Sequence, residues 1–260
     1  MKEVAIVTGG SSGIGSAAAK RLSENWKVYE FSRTGKDRDG IFHVDCDVMK
    51  TEDIQNGIET VIAKEGRLDL VVNCAGFGIS GAIEYTDVSD AKRQFDVNFF
   101  GTCEVNRFCI PYLKKTNGRI INISSVAAMA SIPFQAYYSS CKAAINSYTL
   151  ALANELRPFE VSVCAIMPGD TSTGFTGARN KNSRGDEEYS GRISKSVQKM
   201  ENDERKGVSP DKVARLISKI AEKKSVKPLY TVGFDYKLII VLLKILPYRL
   251  SNYLVAKIYG

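Results

Sequence analysis

Short, nearly continuous apolar runs alternate in this chain with longer stretches of helical periodicity, and this alternation limits the possible folds more than any other feature. The runs EVAIVT (3–8), KVYEFS (27–32), IFHVD (41–45), DLVVNC (69–74), RIINIS (119–124), VSVCAI (161–166) and PLYTV (228–232) read as strands. Most lack a polar alternate face, as strands covered on both sides must. Between them, residues 14–24, 51–65, 88–116, 137–157 and 210–222 carry helical patterns. Strand–helix alternation implies right-handed crossovers and a doubly wound, seven-stranded parallel α/β sheet with helices on both faces. No repeat or linker interrupts it, so residues 1–260 are expected to form one domain.

The first strand runs directly into VTGGSSGIGSAAAKRL. Gly9, Gly13 and Gly15 remove side chains where the backbone must turn tightly, with Ser11 and Ser12 in the turn itself. A helix starting near Ile14 would offer free N–H groups and its positive dipole end to a pyrophosphate. At a strand-to-helix junction this pattern is expected to bind a nucleotide. The formal net charge of +7 suits an anionic ligand or an anionic surface. The cations are spread along the chain without a zinc-finger pattern or a basic heptad run, so no nucleic-acid partner is expected. Six cysteines form no CxxC pair, and His43 is the only histidine. Reduced thiols and no metal site are therefore expected, and a Ser-His-Asp triad is improbable. His43, in an apolar run, reads as a core or sheet-edge residue. The N-terminus enters a strand pattern at once, without a signal-type apolar segment, which points to a cytoplasmic protein.

Further along, QAYYSSCKAA (135–144) sets Tyr138 four residues before Lys142, so a phenol and an ammonium share one helix face. Together with TGGSSGIG, several ordered elements carry a resemblance. They are NCAG (73–76, with Cys74 where a second Asn is usual), Asn98 in FDVNFFG, Ser125 thirteen residues before Tyr138, YSSCK (138–142) and PGDTST (168–173). In this order the chain resembles the short-chain dehydrogenase/reductase family, strongly over residues 1–173 and loosely beyond. The resemblance implies a Rossmann-type fold and a catalytic set of Ser125, Tyr138, Lys142 and Asn98. It also implies cofactor contacts at Gly9, Ser11, Ser12, Gly13, Ile14, Gly15, Ser32, Arg33, Asp47, Val48, Asn73, Ala75, Gly76, Tyr138, Lys142, Pro168, Gly169, Thr171 and Thr173.

In such a fold the residue ending the second strand faces the adenosine ribose, and an acid there would repel a 2′-phosphate. Here Ser32 holds that position and Arg33 follows, a residue able to grip phosphate through parallel charged hydrogen bonds. NADP(H) is therefore expected over NAD(H), with Glu30 the acidic partner only under a shifted register. A free phenol titrates near 10. By the resemblance, Tyr138 protonates a carbonyl oxygen that Ser125 holds. Lys142 binds the nicotinamide ribose and lowers the Tyr138 pKa, and Asn98 holds a water linking Lys142 to solvent.

Residues 174–207 are polar and strongly charged and read as a substrate lid or a surface loop. Residues 234–260 form an apolar, basic, helical extension whose apolar run is too short to span a membrane. It suits an interfacial position on an anionic membrane, a pocket roof or a dimer contact. Such tails resemble those of hydroxysteroid- and lipid-directed members of the family. The expected reaction is thus alcohol–ketone interconversion on a bulky apolar substrate of steroid, bile-acid or lipid type. A 3-oxoacyl-(acyl-carrier-protein) reductase and an NADP-binding redox sensor are the alternatives. A homodimer or homotetramer through helices 88–116 and 137–157 follows from the resemblance.

Overall fold

A computed structural model of the chain describes residues 2–38 and 40–260. Its elements run β1 (Val4–Thr8), α1 (Gly13–Leu22), β2 (Lys27–Ser32), β3 (Ile41–Asp45), α2 (Thr51–Glu65), β4 (Leu70–Asn73), β5 (Ile79–Ser80), α3 (Val88–Phe95), α4 (Gly101–Thr116) and β6 (Arg119–Ile123). They continue as α5 (Ala136–Leu156), β7 (Ser162–Met167), α6 (Phe175–Ala178), β8 (Asn180–Lys181), α7 (Arg192–Lys206), α8 (Pro210–Ala221), β9 (Leu229–Thr231), α9 (Phe234–Ile245) and α10 (Tyr248–Tyr259). Seven strands form one parallel sheet in the order β3-β2-β1-β4-β6-β7-β9, the Rossmann-like arrangement expected.

Because successive strand residues point to opposite faces, the sheet fills two cores. Ile6, Tyr29, Val71 and Ile120 pack with Ile58 of α2 and Val105 of α4 on one side. Ala5, Val7, Val28 and Ile121 pack with Ala18 of α1 and Ile217 of α8 on the other. The strand order reverses between β1 and β4. The crevice beyond their carboxyl ends is where this architecture takes a ligand. A buried asparagine network braces that end of the sheet. Asn73 Nδ2 donates to Asn106 Oδ1 (2.7 Å) and to Asn122 Oδ1 (2.9 Å), and Asn122 Nδ2 donates to Thr149 Oγ1 at 3.0 Å.

Two stretches differ from the sequence reading, 88–116 and 174–207, and the C-terminal extension is helical as expected. The helix expected over 88–116 is interrupted by one π-turn, Asp96–Phe100, that separates α3 from α4. Residues 174–207 hold α6, β8 and the regular helix α7, which buries Ile193 and Met200. Asn180–Lys181 of β8 pairs in parallel with Ile79–Ser80 of β5, tying this segment to the loop after β4. Residues 234–260 fold into two helices meeting at Pro247. Ile240 and Val255 face inward, while Leu238, Leu242, Ile245, Tyr248 and Leu254 stand exposed. Among the described residues no helix is long and apolar enough to cross a membrane.

Candidate active site

The glycine turn sits at the carboxyl end of β1. Gly9 has φ +63°, and a Cβ there would lie 3.0 Å from the Ala75 backbone. A Cβ on Gly15 would collide with the Gly9 carbonyl. The loop thus closes only with glycine at both positions. Gly13, at φ +52°, opens α1 opposite Thr173. Ser12 is the N-cap residue, yet its side chain makes no capping bond, and the first turn of α1 carries no acid. A cradle without Cβ atoms and an uncapped helix N-terminus fit a dinucleotide pyrophosphate. Ser11 and Ile14 lie in the same turn. Thr8, absent from the expected site residues, accepts the backbone N–H groups of Cys74 (3.1 Å) and Ala75 (3.2 Å), which fastens the NCAG loop to β1.

Ser32 is the last residue of β2 and Arg33 is exposed directly after it. Glu30 instead lies fully buried against Gly10, with Oε1 2.7 Å from His43 Nδ1 on the edge strand β3. Its Oε1 is committed there, and its Oε2 is buried without a hydrogen-bond partner among the described residues. Arg38 reaches across the glycine loop, donating to the Gly10 carbonyl and the Ser16 hydroxyl, each at 2.9 Å. Asp47 and Val48 are partly buried, and Val48 packs against Gly101 at the start of α4.

Asn73 belongs to the asparagine network, so its side chain points into the protein beneath the cleft. Asn98 lies in the π-turn and is buried. Its Oδ1 accepts from Phe77 N (2.9 Å) and its Nδ2 donates to Phe77 O (2.8 Å), so the amide fixes the chain just past Gly76. The extra residue of a π-turn lets one side chain turn out of the helical ladder, and here it is Asn98.

Ser124 is buried and donates to the Lys142 carbonyl at 3.1 Å. Ser125 caps the short turn after β6, where its oxygen accepts from Ala127 N at 3.1 Å, and its hydroxyl also acts on Tyr138. Lys142 is buried one helical turn from Tyr138, with Nζ 5.7 Å from the phenol ring centroid. It does not bond the phenol. Nζ donates to the Ile123 carbonyl at 2.8 Å, and burial pushes its pKa down. Tyr138 therefore departs from the expectation of a lowered pKa. Burial pushes the phenol up, with the Ser125 hydrogen bond opposing. Burial disfavours phenolate, and the Lys142 ammonium is spent on a backbone carbonyl.

Pro168 accepts from Val126 N (2.9 Å), which joins the loop after β7 to the Ser125 turn. The Thr171 hydroxyl donates to the Gly169 carbonyl (3.0 Å) and folds this loop on itself, while Thr173 accepts from Phe175 N at 3.2 Å. Four further residues escaped the sequence reading. Phe175 packs its ring 5.6 Å from that of Tyr138. Tyr236 of α9 lies over Gly169 and donates to Asp170. Arg179, buried, pairs with Glu204 of α7.

The fold and its glycine cradle define an α/β dinucleotide-binding protein. The short chain dehydrogenase family profile matches residues 3–184. A 3-ketodihydrosphingosine reductase of Bacteroides thetaiotaomicron is 36% identical over 228 residues, covering 86% of this chain and 85% of that protein. VdlC of Helicobacter pylori, a probable short-chain type dehydrogenase/reductase, is 34% identical over 252 residues, covering 94% of this chain and 93% of its own. A solved short-chain dehydrogenase from Streptomyces avermitilis superposes with a TM-score of 0.85 at 25% identity, covering 99% of this chain and 97% of that one. The chain belongs to the short chain dehydrogenase family. It is an oxidoreductase with an NAD(P)-binding fold.

Proposed function

We propose that this protein is an NADPH-dependent reductase of a ketone on a long-chain lipid, of the 3-keto sphingoid-base type. The observation that carries the reading is the position of α9. Its inner side sets Tyr236 on the Gly169–Asp170 loop, while its outer side exposes Leu238, Leu242 and Ile245. An apolar surface joined directly to the loop that would close over a nicotinamide suits a substrate drawn from a lipid phase. The identity to a 3-ketodihydrosphingosine reductase over most of both chains supports the same class. Ser32 and exposed Arg33 at the end of β2 support NADP(H).

When bound, the cofactor supplies the hydride. Gly9, Gly13, Gly15 and the N-terminus of α1 would hold its pyrophosphate, and Arg33 its 2′-phosphate. Ser125 donates a hydrogen bond to the substrate carbonyl oxygen, and Tyr138 gives that oxygen its proton. A phenol pushed up by burial stays protonated through neutrality, the state a reduction requires. Lys142 orients the nicotinamide ribose, and Asn98 sets the Phe77 turn beside it. The residues of this chain form one catalytic domain, with α6 and α7 above the substrate cleft. A homo-oligomer through α4 and α5 suits the exposed Leu150 of α5 and Phe100 just before α4.

The test is loss of NADPH absorbance, with NADH in parallel, on 3-ketodihydrosphingosine, a steroid ketone and a bile-acid ketone. Turnover of the sphingoid ketone with NADPH preferred is expected. Turnover of the steroid alone would replace the substrate class, and preference for NADH would remove the role given to Arg33.

A further inference from the structure

Arg38 is absent from the expected site residues, yet its guanidinium bridges the two arms of the glycine turn. Nη2 donates to the Gly10 carbonyl and Nη1 to the Ser16 hydroxyl, each at 2.9 Å. Gly10 precedes α1 and Ser16 lies in its first turn, so one planar fork sets the spacing of both arms. The main chain that carries the fork is itself fixed. Arg38 N donates to the Ile41 carbonyl at 2.9 Å, Ile41 N returns a bond at 2.8 Å, and Ile41 is buried at the start of β3. Next to it, Asp37 accepts the His43 backbone N–H at 2.7 Å. Other restraints stop on either side of the bridged peptide. Gly9 N donates to Phe31 O at 2.8 Å, and Ser16 N donates to the Ser12 carbonyl at 2.9 Å. Between them, Arg38 is the one hydrogen-bond partner of the Gly10 carbonyl among the described residues, and the Ser11 N–H has no acceptor there.

The Gly10–Ser11 peptide is trans, so its carbonyl and its N–H point in opposite directions. Arg38 draws the carbonyl towards the loop between β2 and β3 and thereby turns the Ser11 N–H away from that loop, free for an anion. Charge on the guanidinium also polarises the peptide and makes that N–H a stronger donor. No side chain at residue 10 could set this orientation instead, because a Cβ there would lie 2.5 Å from Glu30 Cβ. We infer that Arg38 is a positioning residue for the dinucleotide, holding the Gly10–Ser11 peptide so that the Ser11 N–H donates to the pyrophosphate. It acts through the peptide and not on the 2′-phosphate, so NADPH and NADH gain from it alike. That separates its part from the one given to Arg33, and it serves either cofactor whatever the substrate.

Dissociation constants of NADPH and NADH come from fluorescence titration of the full chain, and those of ADP and adenosine from displacement of NADH. Arg38→Ala is expected to weaken NADPH, NADH and ADP by a common factor of about ten, the scale of one charged hydrogen bond. Adenosine, which has no phosphate, should bind as to wild type. Arg38→Lys keeps the charge but lacks the fork that serves two acceptors at once, so it should lose nearly as much. Ser16→Ala frees one prong of the fork and should weaken both dinucleotides equally, by about twofold or more. This second variant carries the test should Arg38→Ala not fold. Loss for NADPH alone would make Arg38 a ligand of the 2′-phosphate and overturn the assignment. Loss for adenosine in step with ADP, at an unchanged melting temperature, would overturn it by placing Arg38 on the nucleoside. Wild-type affinities in Arg38→Lys would reduce the residue to a charge, and wild-type affinities in Ser16→Ala would show that the bridge sets nothing.

Discussion

Tyr236 of α9 donates its hydroxyl to the Asp170 carboxylate while its ring lies over Gly169. The C-terminal helices are thereby tied to the Gly169–Asp170 loop that follows β7. Burial pushes the Asp170 pKa above the ordinary carboxylate value, and the Tyr236 hydrogen bond opposes this. The folded state then keeps the Asp170 proton to higher pH than the unfolded chain does. Stability is lost as pH rises from about 3.9 through the raised pKa, and stays lost above it. The difference in melting temperature between wild type and Asp170→Asn should therefore turn against wild type as pH increases from 4 towards neutrality. In Tyr236→Phe the opposing hydrogen bond is gone, and the loss should continue to higher pH. The variant should also cost about 1.5–3 kcal/mol at neutral pH, the usual worth of a hydrogen bond to a charged group. An identical pH dependence of melting in all three proteins would show that Asp170 does not titrate differently on folding.

Tyr138 carries the second prediction. Its phenol is pushed up by burial, so the acid form persists through neutral and mildly alkaline pH. The rate of ketone reduction should stay level across that span and fall only at strongly alkaline pH, whereas alcohol oxidation should rise with pH. Tyr138→Phe should lower kcat by a factor of about 100 or more, the range of lost general acid catalysis, with NADPH binding unchanged by fluorescence titration. Undiminished turnover in that variant would exclude the phenol as the proton donor.

Local chemistry explains what the sequence made legible. Sheet strands read clearly because burial on both faces leaves unbroken apolar runs such as VAIVT and LVVN, and the glycine turn is tied to the end of β1. Ser32 could be placed at the end of β2 for the same reason. Contacts between distant segments left no such pattern. Asn98 breaks the 88–116 helix because its amide serves Phe77, 21 positions earlier. The heavy charge of α7 masks its apolar face, of which Ile193 and Met200, seven residues apart, were the available signal. Arg179 and Glu204 are separated by 25 positions and obey no spacing rule. Lys142 stands where the i, i+4 rule puts it, but the rule is silent on whether Nζ seeks a phenol or the Ile123 carbonyl.

Arg33 is exposed beyond Ser32, free to meet a phosphate, whereas Arg38 is occupied with Gly10 and Ser16. Arg33→Ala should raise the KM for NADPH about tenfold, the scale of one lost charge-assisted contact. The KM for NADH should be unchanged. Parallel initial-rate measurements with the two cofactors give the answer, and equal effects on both would assign Arg33 a general rather than a phosphate-specific part.

The outer face of the C-terminal helices combines exposed Leu238, Leu242, Ile245 and Leu254 with Lys237, Lys244, Arg249 and Lys257. Flotation with vesicles containing an anionic phospholipid should carry the protein, and high salt should release part of it. The double variant Ile245→Glu, Leu254→Glu should lose flotation, because each apolar side chain contributes about 1.5–3 kcal/mol when fully buried. Substitution is the cleaner test than removal of residues 234–260. Tyr236 and Ile240 pack inward, so truncation would also disturb the Asp170 loop. Flotation of the double variant equal to wild type would leave the apolar face without a lipid role.

The asparagine network offers a prediction about stability alone. Asn122 is fully buried in β6, accepting from Asn73 at 2.9 Å and donating to Thr149 at 3.0 Å. Replacing it by leucine keeps the branched shape but leaves the Thr149 hydroxyl without its donor and takes one acceptor each from the Asn73 and Asn106 amides, both of which keep another. Each buried group left unmatched costs about 1–3 kcal/mol. Because Asn73 keeps its 2.7 Å bond to Asn106, the loss should fall nearer one such group than two. Asn122→Leu should therefore lose about 1–3 kcal/mol of unfolding free energy, seen as a lower urea midpoint with an unchanged slope against denaturant. Asn73 closes β4 immediately before the NCAG loop, so the same variant should also weaken NADPH binding, although Asn122 itself lies beneath the cleft. An unfolding free energy within about 0.5 kcal/mol of wild type, the range of ordinary surface changes, would mean that the network fills space and braces nothing.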